Sequence, residues 1–121
     1  MKTLTALALT LASSLALAST PSASTQQEIN HLFAYLKNSG CSFNRNGTWY
    51  EAGKAADHLQ QKYDYLLKKK LVDSSEDFIA RAATESSMSS KPYSVRCGNA
   101  AAVASGPWFR AELERYRKRQ P

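Results

Sequence analysis

Apolar residues recur every three or four positions in the segment after Ser24, which predicts an amphipathic helix ending near Gly40. The apolar positions of this helix are Ile29, Leu32, Phe33 and Leu36. Thr25 and Glu28 have the spacing of a capping box, so we place the helix start there. His31 lies off the apolar stripe and is therefore expected to be exposed.

The helical period returns in three later segments. A long stripe predicts a helix from Glu51 to about Lys69, and a shorter helix begins at Ser74 or the residue after it. Ser74 and Asp77 have the spacing of a capping pair at the start of that shorter helix. The last helix is expected to begin at Pro107, since proline is favoured in the first turn.

Between the first two helices the pattern alternates with a period of two. Asn46-Gly47 is typical of a type I′ hairpin turn, because both residues tolerate a positive φ. With a two-residue loop, Phe43 pairs with Tyr50, and Cys41 lies on the same face of the sheet as both. This face is expected to be buried.

The N-terminal segment indicates the compartment. Lys2 precedes an apolar run, Leu4–Ala18, which has the length of a secretory signal and ends in a small-x-small pattern. The run is shorter than the roughly 20 apolar residues that a transmembrane helix needs. We therefore predict a signal peptide at 1–18, a flexible lead at 19–24 and a single α+β domain at 25–121. The predicted location is the periplasm, or the exterior in a cell without an outer membrane, with no transmembrane segment after cleavage.

The chain has two cysteines, and an even number in an exported protein favours one disulfide, Cys41–Cys97. Tyr93, Val95 and Cys97 alternate as a strand, and a disulfide within a sheet requires neighbouring strands because only these are close enough. The strand of Val95 is therefore expected beside that of Phe43, antiparallel to it. The predicted fold is α+β: a small three-stranded antiparallel sheet in the order 2-1-3, about four helices and one disulfide.

The formal net charge is +6, and the basic residues concentrate in two clusters. One is Lys68–Lys70, and the other lies in 115–119 near the end of the last predicted helix. Cations are favoured at helix C-termini, which accounts for most of this pattern. An anionic envelope component or an acidic protein is the partner class that such charge would also suit. Nucleic acid fits poorly with export and is not expected.

A serine-rich segment, Ser86–Ser90, precedes Lys91 and raises the possibility of a serine/lysine nucleophile. An S-x-x-K dyad would need serine three residues before Lys91, where Met88 stands, and Pro92 disfavours helix there. Serines that cap backbone groups are the preferred interpretation. With the cysteines paired, the two histidines have no metal-site spacing, so neither a metal nor a cofactor is expected.

Several short motifs occur in an order that resembles the YfeK-like proteins, small exported bacterial proteins grouped as a domain of unknown function. They are Phe43, Arg45-Asn46-Gly47, Tyr50, Ala55, His58-Leu59, Lys62, Phe78-Ile79, Ser86-Ser87 and Lys91-Pro92-Tyr93. The resemblance covers roughly Ile29 to Leu113. It implies an exported α+β domain of Gram-negative bacteria and brings no activity, cofactor or catalytic residue. The family pattern favours glycine where this chain has Ser90, a departure that would matter if the position requires a positive φ.

The leading functional hypothesis is a non-catalytic binding or accessory protein for an envelope component or a protein partner, with no catalytic residue. Its candidate binding residues are His58, Lys62, Ser86, Ser87, Lys91 and Tyr93. The first alternative is a small hydrolase that uses His58 with a serine of Ser86–Ser90. The second is an immunity or inhibitor protein against an envelope-targeted toxin. The sequence does not define an oligomeric state.

Overall fold

The computed structural model describes residue 3 and residues 20–121, so the predicted signal peptide at 1–18 lies almost entirely outside the described residues. Four α-helices, one π-helical turn and four strands follow one another along residues 20–121. They are α1 (Ala23–Asn38), β1 (Ser42–Arg45), β2 (Thr48–Glu51), α2 (Ala52–Lys68), α3 (Ser75–Phe78), the π-helical turn (Ile79–Ala83), β3 (Ser94–Arg96), β4 (Val103–Ala104) and α4 (Ser105–Arg119).

The strands form one antiparallel sheet in the order β2-β1-β3-β4. The predicted hairpin register is confirmed, with Phe43 opposite Tyr50, and so is the predicted pairing of Phe43 with Val95 on β3. The predicted strand count is wrong, since β4 adds a fourth strand through the pair Val95–Val103. This strand has two residues in a segment rich in alanine, which is too short to produce an alternating pattern.

The disulfide forms between Cys41 and Cys97, as predicted, with their Cα atoms 4.2 Å apart. It continues the pairing of β1 with β3, because the neighbouring pair in the register is Ser42–Arg96. The half-cystine of Cys41 is buried in the core. The bond therefore fastens the two central strands of the sheet at one end.

Helices cover one face of the sheet, and the core lies between the two layers. The predicted stripe of α1 is confirmed, since its four apolar positions are among the buried residues. Phe78 at the end of α3 is fully buried, and its ring centroid lies 5.3 Å from that of Phe33 and 5.2 Å from that of Tyr63. On the opposite face of the sheet, Trp49 is partly exposed beneath the guanidinium of Arg96, 4.2 Å from the ring centroid.

Two helix starts differ from the prediction. Helix α1 is capped by Ser22, whose Oγ accepts a hydrogen bond from the backbone N–H of Thr25 at 3.1 Å. The predicted capping box of Thr25 and Glu28 is therefore wrong, because Glu28 instead accepts hydrogen bonds from Arg117 and Ser75. The capping box of Ser74 and Asp77 in α3 is confirmed. Helix α4 begins two residues before Pro107, at Ser105.

His31 is half-buried, which corrects the expectation that it would be exposed. Its Nε2 lies 2.9 Å from a carboxylate oxygen of Glu112 on α4, and its ring stacks on Tyr116 at a centroid distance of 4.3 Å. Arg115 donates to the other oxygen of Glu112 at 2.8 Å. Because α4 packs against this side of α1, a polar position outside the apolar stripe becomes an interhelical contact.

None of the helices described in residues 20–121 combines the length and the apolar character needed to cross a membrane.

Candidate binding site

Arg45 is the last residue of β1 and lies two positions after Phe43, so its side chain extends from the core face of the sheet. One of its terminal nitrogens lies 2.8 Å from Nδ1 of His58, and the other donates to the hydroxyl of Tyr50 at 3.4 Å. No salt bridge among residues 20–121 includes Arg45. An inward-facing guanidinium is therefore held by neutral partners.

His58 extends from α2 and links the hairpin to β3. Because Arg45 donates to Nδ1, the proton of the neutral ring is assigned to Nε2, which lies 3.2 Å from the hydroxyl of Tyr93. Burial lowers the pKa of His58, and the charges of Arg45 and Lys62 lower it further. The imidazole is therefore neutral at pH 7 and serves as an acceptor for the arginine.

Lys62, one turn further along α2, lies behind Tyr93. Its Nζ donates to the backbone oxygen of Glu85 at 2.9 Å and to the hydroxyl of Tyr93 at 3.1 Å. Burial lowers the pKa of Lys62 to about 8, against the opposing charge of Glu85. Burial raises the pKa of Tyr93, so its phenol stays protonated. Since its oxygen accepts from both Lys62 and His58, the hydroxyl keeps its own hydrogen to donate.

A cavity of about 350 Å³ opens between the hairpin and α2, beside this cluster. Arg45, His58 and Tyr93 line it, whereas Lys62 does not. The remaining wall is apolar on one side and polar at the rim. The apolar residues include Phe43, Ala55 and Leu59, and the polar residues include Lys54, Asp57 and Gln61.

The structure divides the six predicted binding residues. His58, Lys62 and Tyr93 form one hydrogen-bonded cluster, whereas Ser87 and Lys91 are exposed and do not line the cavity. Ser86 is buried, and its Oγ accepts hydrogen bonds from the side-chain amide of Asn46 at 3.2 Å and from two backbone N–H groups of its own turn.

Ser86 therefore stabilises the serine turn and joins it to the hairpin. The two hydrogen-bond partners of His58 among the described residues are Arg45 and Tyr93. The contact between His58 and a serine that a hydrolase would need is not formed.

Sequence reasoning missed Arg45 and Tyr50 as site residues. The alternation of β1 could have identified Arg45, because Cys41, Phe43 and Arg45 share one face of the strand. A charged side chain on a face that packs against the core needs a polar partner. The predicted hairpin register could have identified Tyr50, since it placed Tyr50 on the same face of the sheet as Arg45. Among residues 20–121, no group of three or more His, Cys, Asp or Glu side chains is arranged to hold a metal ion.

Ser90 adopts a left-handed conformation with φ of 58°, a backbone region that favours glycine. The turn is closed by the backbone N–H of Ser90 on the oxygen of Ser86 and by the N–H of Ser86 on the oxygen of Lys91, both at 2.9 Å. Left-handed backbone disfavours a residue with a Cβ by roughly 1–2 kcal/mol, part of which the flexibility of unfolded glycine offsets.

We therefore expect Ser90→Gly to raise the free energy of unfolding by about 0.5–1 kcal/mol, measured by urea denaturation. Ser87→Gly is the matched control, since Ser87 lies in the same exposed turn and its φ is not positive. It should leave stability unchanged or lower it. A lower free energy of unfolding for Ser90→Gly would show that the left-handed backbone of Ser90 is not strained.

The described residues define a small α+β domain with one disulfide and a cationic pocket between a hairpin and a helix. A family model described as "Family of unknown function (DUF5329)" matches residues 23–117, and the chain belongs to this family. Searches of curated proteins and of solved structures found no match. The family has no known function, so the likeness to YfeK-like proteins and export from the cytoplasm stay predictions.

Proposed function

We propose that this protein is a non-catalytic binding protein of the periplasm, and that its pocket holds an anionic group of an envelope component or of a protein partner. The observation that carries the proposal is the inward-facing Arg45, which borders an open cavity and has neutral partners, His58 and Tyr50.

The charge of Arg45 favours an anion as the ligand. Arg45 is half-buried, and a charge that is partly removed from water is stabilised by an opposite charge nearby, because neutral dipoles replace only part of its hydration. His58 and Tyr50 fix the guanidinium in position without neutralising it. An anion in the cavity would supply an opposite charge in direct contact with Arg45, and the fixed guanidinium would lose little freedom on binding it.

The hydrogen bonds of His58 favour binding over hydrolysis. A general base needs a ring nitrogen within reach of the proton that it removes. In this cluster Nδ1 accepts from Arg45 and Nε2 faces Tyr93, while the Oγ of Ser86 is engaged by its own turn. Nothing in the arrangement specifically favours the hydrolase or the immunity protein.

The disulfide supports the proposed compartment. Stable disulfides are typical of oxidising compartments and rare in the cytosol, and the bond of Cys41 with Cys97 joins the two central strands of the sheet. This agrees with the secretory signal predicted at 1–18.

Site-specific photocrosslinking in the cell that produces the protein tests the proposal. A benzophenone side chain replaces Gln61, an exposed residue at the rim of the cavity, and adducts are identified by mass spectrometry. We expect an adduct whose yield falls at least tenfold when Arg45→Met is added, because the anion loses its opposite charge.

Arg96→Met is the matched control, since it removes an arginine from the neighbouring central strand, on the opposite face of the sheet. The adduct should survive this change. An adduct that is equally abundant with Arg45→Met, or no adduct at all from the folded protein, would contradict the proposal.

A further inference from the structure

We infer that the pocket takes a small organic monoanion, specifically a carboxylate carried on a compact apolar body. This inference rests on the proposed function and names the class of ligand that the same site would bind. Three features of the cavity carry it: the balance of charges on its wall, the distance from Arg45 to the apolar wall, and the position of two hydrogen-bond donors.

The charges on the wall favour a single negative charge. Arg45 and Lys54 are cations, Asp57 is an anion at the rim, and His58 is neutral. Lys62 is not a lining residue, since its Nζ is engaged with Tyr93 and the backbone oxygen of Glu85. The side chains that line the cavity therefore carry one net positive charge. A dianion would exceed this net charge, because Asp57 on the wall offsets one of the two cations.

The apolar wall begins close to Arg45. Phe43 precedes Arg45 by two residues on the same face of β1, so their Cα atoms are about 7 Å apart. Leu59 follows His58, and Ala55 lies one helical turn before Leu59 on α2. A head group at Arg45 therefore leaves its substituent against Phe43, Ala55 and Leu59. The volume of 350 Å³ lies at the lower end of the range for small-molecule sites, which favours a compact body.

Arg45 and Tyr93 both line the cavity and each has a hydrogen left to donate. Each terminal nitrogen of Arg45 carries two hydrogens, of which its bonds to His58 and Tyr50 use one apiece. The hydroxyl of Tyr93 keeps its own hydrogen, since its oxygen accepts from His58 and Lys62. Nε2 of His58 lies 3.2 Å both from Arg45 and from Tyr93, so the two donors are close enough for the two oxygens of one carboxylate.

Calorimetric titration of the purified protein at pH 7.5 with four probes tests the ligand class. The probes are phenylacetate, acetate, 2-phenylethanol and phenyl phosphate. We expect phenylacetate to bind at least tenfold more tightly than acetate, which lacks the apolar body, and than 2-phenylethanol, which lacks the charge. Phenyl phosphate, a dianion at this pH, should bind more weakly than phenylacetate. Equal binding of acetate, or tightest binding of phenyl phosphate, would overturn the inference.

Two substitutions locate the binding of phenylacetate in this cavity. Arg45→Met removes the opposite charge and should weaken binding at least tenfold, and Ala55→Phe should do the same by filling the apolar side while Arg45 and His58 remain. Arg96→Met is the control and should leave the affinity unchanged. Because Ala55→Phe keeps the hydrogen bonds of the cluster, it decides the question even where Arg45→Met fails to fold. Unchanged affinity in a folded Ala55→Phe variant would overturn the inference.

The two experiments separate the ligand class from the function. An adduct at Gln61 that depends on Arg45, together with a failed probe ranking, would keep the binding function and overturn the monoanion. The expected probe ranking without an adduct would support the monoanion and overturn the envelope partner.

Discussion

Replacing Cys41 and Cys97 together with alanine is expected to lower the free energy of unfolding by about 4 kcal/mol. The bond spans a sequence separation of 56 residues, so in the chain-entropy model its loss greatly enlarges the conformational freedom of the unfolded chain. It also fastens β1 to β3, the two central strands, at a position where Cys41 is buried. A small domain has a total stability of about 5–15 kcal/mol, so the loss is a large part of it.

Urea denaturation with and without a reducing agent measures this effect. Reduction should destabilise the native protein by a similar amount and leave the double alanine variant unchanged, which separates the disulfide from other effects of the reagent. A decrease in the free energy of unfolding below about 1 kcal/mol would show that the disulfide contributes little to the stability of the sheet and the helical layer.

Replacing Glu112 with glutamine is expected to cost about 2–3 kcal/mol of stability at pH 7. Glu112 is only 5% exposed, and its carboxylate oxygens accept hydrogen bonds from His31 at 2.9 Å and from Arg115 at 2.8 Å. Glutamine offers one acceptor oxygen, so its NH₂ group must face one of these two donors. Glu114→Gln is the matched control, since Glu114 is exposed on the same helix, and its effect should be within about 0.5 kcal/mol.

The pH dependence of stability distinguishes the charge of Glu112 from its shape. Burial acts to raise the pKa of Glu112, but the hydrogen bonds from His31 and Arg115 outweigh it and hold the pKa below 4.5. Because the folded pKa lies below the unfolded value, the stabilisation is fully present above pH 4.5 and is lost as the pH falls through the folded pKa.

The native protein should therefore lose more stability than Glu112→Gln between pH 5 and the folded pKa, as followed by thermal unfolding. The curves of the two proteins should converge in acid. Glu28, whose pKa is lowered by Arg117, supplies a second acid-sensitive contact that both proteins share. Parallel curves would mean that the carboxylate of Glu112 contributes through its shape alone.

Features fixed by local spacing could be predicted from the sequence. The Asn46-Gly47 turn defines its own hairpin register, so the pair Phe43–Tyr50 followed directly. The disulfide then determined the neighbour of β1, because its length excludes strands that are two positions apart. The same reasoning could not find β4, whose two residues are held by pairing with β3 rather than by a pattern of their own.

The site was harder to predict because its contacts join distant segments. His58 was a candidate as a titratable residue on a polar stripe, but its partner Arg45 is recognised only once the face of β1 and the position of α2 are known together. Ser86 and Lys91 are close in sequence and differ in burial, since only Ser86 points inward to its turn. The pair His31–Glu112, 81 residues apart, depends entirely on how α1 meets α4.

The strand order also governs when the sheet can be completed. The β1–β2 hairpin closes over a two-residue loop, whereas β1 reaches β3 only across a segment that contains α2 and α3. Loop-closure entropy rises with length and non-local pairings form slowly, so we expect the hairpin early and the central pair late. Because a chain is synthesised from its N-terminus, we expect Cys41 to stay a free thiol until the last third of the protein, which contains Cys97, has been made. During that interval the edge of β1 that later binds β3 is open, and this is when the nascent domain is most exposed to mispairing.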